Sequence, residues 1–332
     1  MKIYHWIIAC CLLLPLGGCS NWLDVIPEDS VDEKDLFSTG EGYRNALNGV
    51  YRQMSQTSMY GQQMSWGFID VLGQLYNTQK LSNYSAYGIA GKNYAYRDET
   101  VKSVIQVIWS NTYNSIANCN NIVGRITGED PSKFRGGEAE QHMIQGEALA
   151  LRAFLHFDLL RMFGPVYKDN PTSKRITYRT EFSKEIKELQ PSNVVMDSII
   201  SDLKKAETLL TGTDPLNFEF PVSDYEEEDM GGDRFLVYRH KRMNLYAVKA
   251  LLARVYLYAG NKTEAENYAN QVIGSGYFDL IGDASDVLRS KEIVFSVYVD
   301  DFDQQVATIT NGNTYYISKE EFLDELFDVA ND

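Results

Sequence analysis

Residues 243–273, MNLYAVKALLARVYLYAGNKTEAENYANQVI, carry the reading that decides the fold. Within them Leu252, Ala253, Tyr256, Gly260, Ala265, Ala269 and Val272 follow at steps of 1, 3, 4, 5, 4 and 3. That spacing puts a large and a small residue on one helix, a glycine at a turn, and small residues where a second helix returns. Two antiparallel helices approach closely only where alanine and glycine face each other, so the stretch predicts a tetratricopeptide-like pair. One pair cannot bury its own apolar face, and its stacking partners must come from elsewhere in the chain.

Those partners are legible upstream. Asn193–Leu210 is amphipathic, with Val195, Ile199, Leu203, Ala206 and Leu210 in register. A longer helix is predicted from Glu138 to Phe163, apolar on most sides from Ala148 onward and therefore central. Gly164-Pro165 stops it, with the glycine expected in a left-handed cap. Arg152, His156, Asp158 and Arg161 interrupt that apolar run. His156 and Asp158 stand two residues apart and so face different ways on a helix. Pairing of these groups with neighbouring helices is expected instead of a base and its orienter. Val101–Ile126 shows a stripe of Val101, Ile105, Ile108, Thr112, Ile116, Cys119, Val123 and Ile126. Cys119 on that stripe behaves as a small hydrophobe. Helices 101–126 with 138–163, and 193–210 beside 243–259, read as degenerate repeat units. A further helix is predicted over 41–54, where Tyr43, Leu47, Val50 and Met54 share a face.

Other stretches break the pattern. Residues 59–96 hold six tyrosines and Trp66 among many Gly, Ser and Asn, and predict a long loop or a set of short turns. Residues 211–241 form a polar connection containing DYEEED, Asp224–Asp229. Its acids lack the alternating ligand positions of a calcium loop, so a solvated acidic loop is expected and no metal is assigned. After Gly276, Ile293–Val299 has the composition of a buried strand, and 306–317 reads as a hairpin around Asn311-Gly312. Glu320–Val329 begins another helix.

The N-terminus carries a different signal. Lys2 opens a short basic start, an apolar run follows from Ile7 to Leu14, and Leu16-Gly17-Gly18 leads into Cys19. The run is far too short to span a bilayer and describes an export signal. Leu-Gly-Gly-Cys resembles the bacterial lipobox, in which cleavage leaves an acylated cysteine first, so Cys19 is the expected lipidation site. Of four cysteines, Cys10 and Cys11 leave with the signal, and Cys119 alone remains without a disulfide partner. Net charge is -15, and loss of Lys2 makes it more negative. That balance argues against nucleic acid and against electrostatic adsorption to anionic lipid, both of which require basic patches.

Taken in order, these blocks resemble the SusD/RagB outer-membrane lipoproteins of Bacteroidetes. The resemblance runs from the lipobox through CSNWLDVIPED (19–29), WSNTYNSIANCNNIV (109–123) and GEALALRAFLHFDLLRMFGPV (146–166). It continues through AVKALLARVYLYAGNKTEAENYANQVIGSGYFDL (247–280) and KEIVFSV (291–297). It implies a mainly α, tetratricopeptide-like helical scaffold carrying irregular loops and a small β-hairpin element near the C-terminus. The organisation it suggests is a lipoprotein signal peptide over 1–18, a lipidated tether over 19–40 and a SusD-like helical domain over 41–332. Within that domain 59–100 is an irregular Tyr-rich insertion, and 281–332 begins an incomplete C-terminal portion, since members commonly continue further. The resemblance also implies a cell-surface, outer-membrane location and capture of oligosaccharides, or in some members peptides. Capture is followed by delivery to a SusC-like TonB-dependent transporter, with no catalysis and no cofactor.

The residues agree with binding over catalysis. HExxH, GxSxG and Walker patterns are absent, and His142, His156 and His240 have no metal-like spacing. Aromatic rings stack on the apolar faces of sugars while amides and carboxylates bond the hydroxyls, which suits a mostly apolar site with a few placed polar groups. Trp66, Asp70, Tyr76, Asn77, Tyr84, Tyr87 and Tyr94 are the candidate ligand-binding residues. The competing expectation is a lipid-anchored scaffold that binds only protein or peptide, with those rings packing the segment onto the helices.

Overall fold

The computed structural model describes residues 33–216, 233–280 and 291–310. The signal sequence, Cys19, the Asp224–Asp229 acidic run, the second half of the expected hairpin and the final helix lie outside the described residues.

A four-residue turn of helix, α1 (Glu33–Leu36), leads into α2 (Gly40–Met54), where the Thr39 side chain accepts a hydrogen bond from the Gly42 amide. Tyr43, Leu47, Val50 and Met54 on its inner face are fully buried, as the three- and four-residue spacing requires. The Tyr-rich stretch then contains α3 (Phe68–Leu72), a 3₁₀ turn (Thr78–Lys80) and α4 (Ala86–Asn93). It is thus more regular than the sequence suggested. The Ser85 side chain caps α4, accepting from the Gly88 amide.

Next come α5 (Glu99–Ile126), capped by the Asp98 carboxylate, and α6 (Gly137–Phe163). A short antiparallel pair, β1 (Lys174–Ile176) and β2 (Gln190–Pro191), precedes α7 (Ser192–Leu210). The remaining helices are α8 (Leu245–Tyr258), α9 (Lys262–Ile273) and α10 (Phe302–Thr310). The α8–α9 turn is made by Gly260 at φ +85°, the left-handed backbone a glycine adopts without strain.

Helix α6 is the axis of the fold. It packs on α5 along one side and most extensively on α7 along the other; α2 covers α5, and α8 rests on α7 while pairing with α9. From Ala148 to Leu160 every α6 residue but Phe154 is buried. Both expected repeat units, α5 with α6 and α7 beside α8, are therefore in contact. A smaller cluster of Phe68, Ala90, Val101 and Ile108 lies under the Tyr-rich segment.

Three expectations are corrected. Gly164 is not left-handed: at φ -74° and ψ 177° its backbone is extended. Its smallness matters because a Cβ there would lie 2.3 Å from the Leu160 carbonyl oxygen. Ile293–Val299 forms no strand; it is a half-buried extended strip held by Ser296 N–H to the His240 carbonyl at 2.8 Å and by the Asn244 amide to the Val294 carbonyl at 2.7 Å. Val306–Thr310, expected in a hairpin, is helical in α10. The two-stranded pair sits instead between α6 and α7, where Ile176 pairs with Gln190.

Candidate functional site

The Tyr-rich segment is folded on itself by its own side chains. The Trp66 indole N–H donates to the Gly61 carbonyl at 2.7 Å, and its ring meets Phe302 edge-on at 6.1 Å. The Tyr76 hydroxyl donates to the Trp66 carbonyl oxygen. Asp70, in the first turn of α3, is half-buried, and that burial raises its carboxyl above the ordinary value. Burial and then the Asp70 charge raise the Tyr76 phenol in turn. Trp66, Asp70 and Tyr76 are therefore brought together. Asn77 follows at the entry to the 3₁₀ turn, half-buried and with its side chain not used as a cap.

The other candidates fall elsewhere. Tyr87 on α4 donates to Gln63 Oε1 at 2.7 Å and accepts from Gln62 Nε2 at 3.3 Å, while its ring packs on Phe68. It belongs to the inner cluster. Tyr94 ends α4 in a left-handed conformation, donates to the Leu72 carbonyl at 3.3 Å and lies 6.3 Å from Tyr96. Tyr96, half exposed, is a ring the sequence reading had not singled out. Tyr84 is 91% exposed. An aromatic ring standing in water gains nothing for the fold, so its presence there is either incidental or kept for a ligand.

A concave region lies elsewhere, against α5. Trp109 and Tyr113, 5.0 Å apart on α5, form one wall of a hollow of about 450 Å³ closed on the far side by the 181–189 loop. Trp109 also borders a neighbouring hollow of about 510 Å³ beside Phe163, whose ring it meets edge-on at 4.8 Å. Tyr113 is structurally engaged, donating to the Thr177 carbonyl at 3.0 Å and accepting from its amide at 3.3 Å. These volumes lie within the range of small-ligand sites. Only the sequence-distant 181–189 loop completes the hollow, which is why no local pattern signalled it.

The interior polar groups are spent on structure. His156 is fully buried; its Nε2 accepts the Arg179 amide proton at 2.9 Å, so Nδ1 carries the hydrogen that it donates to the Arg152 carbonyl at 2.8 Å. Burial lowers its pKa to about 3, and Tyr178 stacks on it at 3.9 Å. Asp158 faces another way, bonded by Tyr60 at 2.7 Å and Arg161 at 3.0 Å. Arg152 pairs with Asp202 of α7 at 2.7 Å. The expected pairing of this quartet with neighbouring groups is what the geometry contains. Among the described residues no cluster of three His, Cys, Asp or Glu is placed to hold a metal ion.

With the scaffold and these surfaces established, comparison with known proteins decides the family. The SusD-like family model, described as starch-binding associating with outer membrane, matches residues 21–217. The chain belongs to the SusD-like family. Two curated members from Formosa agariphila are similar to it. SusD-like protein P25 is 22% identical over 90% of this chain and 52% of its own length. SusD-like protein P2 is 23% identical over 92% and 54%. Among solved structures, a SusD superfamily protein of Bacteroides thetaiotaomicron aligns at a TM-score of 0.53 with 22% identity, covering 73% of this chain and 48% of that one. A laminarin-binding SusD-like protein aligns at 0.50 with 20% identity, covering 73% and 46%.

These likenesses share the tetratricopeptide-like fold described above. This SusD-like chain spans about half the length of the curated relatives it matches. The matched region takes in the Tyr-rich segment, both hollows and helices α1 to α7. No described helix of this SusD-like chain is long and apolar enough to cross a membrane.

Proposed function

We propose that this SusD-like chain is a surface lipoprotein, acylated at Cys19, that captures nutrient oligosaccharides and passes them to a SusC-like TonB-dependent transporter. The observation that carries the binding half is the concentration of aromatic and hydrogen-bonding side chains in residues 59–96. Trp66, Asp70 and Tyr76 gather at one point, and Tyr84 and Tyr94 stand at the surface. Rings of that kind offer faces to sugar rings, and Asp70 and Asn77 offer partners to hydroxyls. The family description as starch-binding and the laminarin-binding relative favour glucans as the first ligands to try. The lipobox ending at Cys19 supports the anchor, and several acyl chains at about 0.8 kcal/mol per buried methylene hold a chain stably. The reading assigns no catalytic residue and no cofactor, in keeping with His156 and Asp158 being engaged in the interior.

Calorimetry of the full chain carrying Cys19→Ala against starch- and laminarin-derived oligosaccharides tests the capture role. At least one series is expected to bind, with Trp66→Ala and Tyr84→Ala each weakening it about tenfold, or about 1.4 kcal/mol. Indifference to every glycan, together with binding of peptides, would leave the protein-only scaffold. Release of shorter sugars during the titration would make the chain an enzyme. Co-purification of a large barrel protein with the acylated chain tests the transporter partnership.

A further inference from the structure

The loop between β1 and β2 projects apolar side chains into water at the point where the N-terminal tether enters the body. Ile186 is 99% exposed and Phe182 54% exposed, four residues apart on a polar loop. Around them Lys174, Arg175, Arg179, Lys184 and Lys187 outnumber Glu181, Glu185 and Glu188, in a chain whose net charge is -15. Lys187 bridges Glu181 at 3.4 Å and Glu185 at 3.0 Å, so its one positive charge is shared between two of the three acids. The loop is a built feature: the Arg179 guanidinium donates to the Ser183 and Glu185 carbonyls, each at 2.7 Å.

Its position follows from two neighbouring residues of α5. Asn120 donates to the Arg179 and Glu181 carbonyls at 3.2 Å each, fixing the root of the loop. Asn121, the next residue, donates to Glu33 at 2.6 Å, and Arg125 one turn on pairs with Glu33 at 2.9 Å. Glu33 opens α1, so the tether from Cys19 reaches the body on the same turn of α5 that holds the loop. Thirteen residues lie between Cys19 and Glu33, and the fourteen steps they make reach at most about 50 Å when fully extended.

We infer that the 181–189 loop is a membrane-surface contact, seating Phe182 and Ile186 among the acyl chains and Lys184 among the phosphates of the leaflet that holds Cys19. The inference rests on the proposed anchor. Two separated apolar points interleaved with lysines suit shallow insertion, whereas a stable protein interface needs about 800 Å² of packed surface on each side. Lysine stems lie along apolar surroundings while their ammonium groups reach polar ones, the behaviour of residues at a lipid boundary.

The test uses the full acylated chain in vesicles of phosphatidylethanolamine and phosphatidylglycerol with brominated acyl chains. A fluorophore is attached through Ile186→Cys or, as the comparison, Tyr84→Cys. Tyr84 precedes α4, which packs near Val101, about 28 Å along α5 from Asn120. Cys119 is fully buried and stays unlabelled. Quenching at Ile186→Cys several-fold above that at Tyr84→Cys is expected, falling when Phe182→Ser and Lys184→Glu are added. An acylated chain quenched equally at both positions overturns the proposal alone. Shielding of Ile186→Cys only when a barrel protein co-purifies assigns the loop to a protein and also overturns it. An N-terminal peptide lacking acyl mass overturns the anchor, and the proposal with it.

Discussion

His156 shows how one buried side chain imposes a pH dependence on the fold. In the unfolded chain it takes up a proton near its ordinary value of 6.5, but in the folded chain burial holds the pKa to about 3. Between those values the unfolded state binds more protons, so stability is intact above about 6.5 and is lost progressively as pH falls toward 3. Asp158, raised by burial, acts in the opposite sense nearer its ordinary 3.8. A His156→Gln variant keeps an acceptor for the Arg179 amide and a donor for the Arg152 carbonyl but cannot titrate. Thermal melts are therefore expected to show a His156 contribution of up to about 2 kcal/mol, lost between about pH 6.5 and about pH 5, that is missing from the variant, which keeps the parallel loss from His240, held at about 4 by burial. The tyrosines divide at the same scale. Tyr84→Ala is expected to leave stability within about 0.5 kcal/mol, as an exposed substitution does, whereas Trp66→Ala removes packing and a hydrogen bond and is expected to cost more than 1 kcal/mol. Urea midpoints separate the two. Residue types single out the Tyr-rich segment as the place to look. They gave no sign that the Trp66 and Tyr87 polar atoms are consumed inside it, because their partners Gly61, Gln62 and Gln63 follow from a local turn and not from any spacing rule.

Helices were the most legible elements, since an apolar stripe at three- and four-residue steps has one stable solution. The α5 and α6 boundaries lie within two residues of those predicted. Ile293–Val299 was misread because its β-branched composition describes how well a strand would pack, not whether an edge is present to pair with it. Its backbone groups instead meet the Asn244 side chain and the His240 carbonyl. Helices α6 and α7 make the most extensive contact and approach closely. At Gly146 a Cβ would lie 2.9 Å from Leu210 Cγ and 3.2 Å from its Cδ2, so the helices touch through a missing side chain. Gly146→Leu gains helix propensity but overfills that contact. It is expected to destabilise by about 1–3 kcal/mol in urea unfolding, with the far-ultraviolet spectrum unchanged.

Across the whole molecule, distant segments are tied by ions buried with no exposure. Arg239 pairs with Glu147 of α6 at 2.8 Å and with Asp214, beyond α7, at 2.9 Å. Glu147 also receives Arg242 at 3.0 Å and the Tyr51 hydroxyl of α2 at 2.7 Å. Helix α2 and the 239–242 stretch thus converge on one carboxylate of α6, and Asp214 joins them through Arg239. Arg239→Met leaves Asp214 without its cation and Glu147 with Arg242 alone, and is expected to cost about 3–5 kcal/mol in urea unfolding. None of this convergence was visible in spacing, because each partner lies on a different element and ordinary surface charges share the same residue types. The same is true of the Trp109 hollow, which needs α5 and the 181–189 loop to meet before it exists.

Cys119 has a consequence of its own. Its thiol is fully covered, and burial pushes its pKa up to about 12, so in the native state it is neither reachable nor ionised. Exposing it requires α5 to part from α6 and α2, the rupture that takes the whole scaffold apart. On the proposed reading, in which Cys19 is acylated and the signal cysteines are removed, a thiol-reactive probe would meet one silent target that speaks only when the molecule opens. Its modification rate on intact cells would then be a chemical clock for global unfolding at the surface, and Gly146→Leu and Arg239→Met should each make that clock run faster.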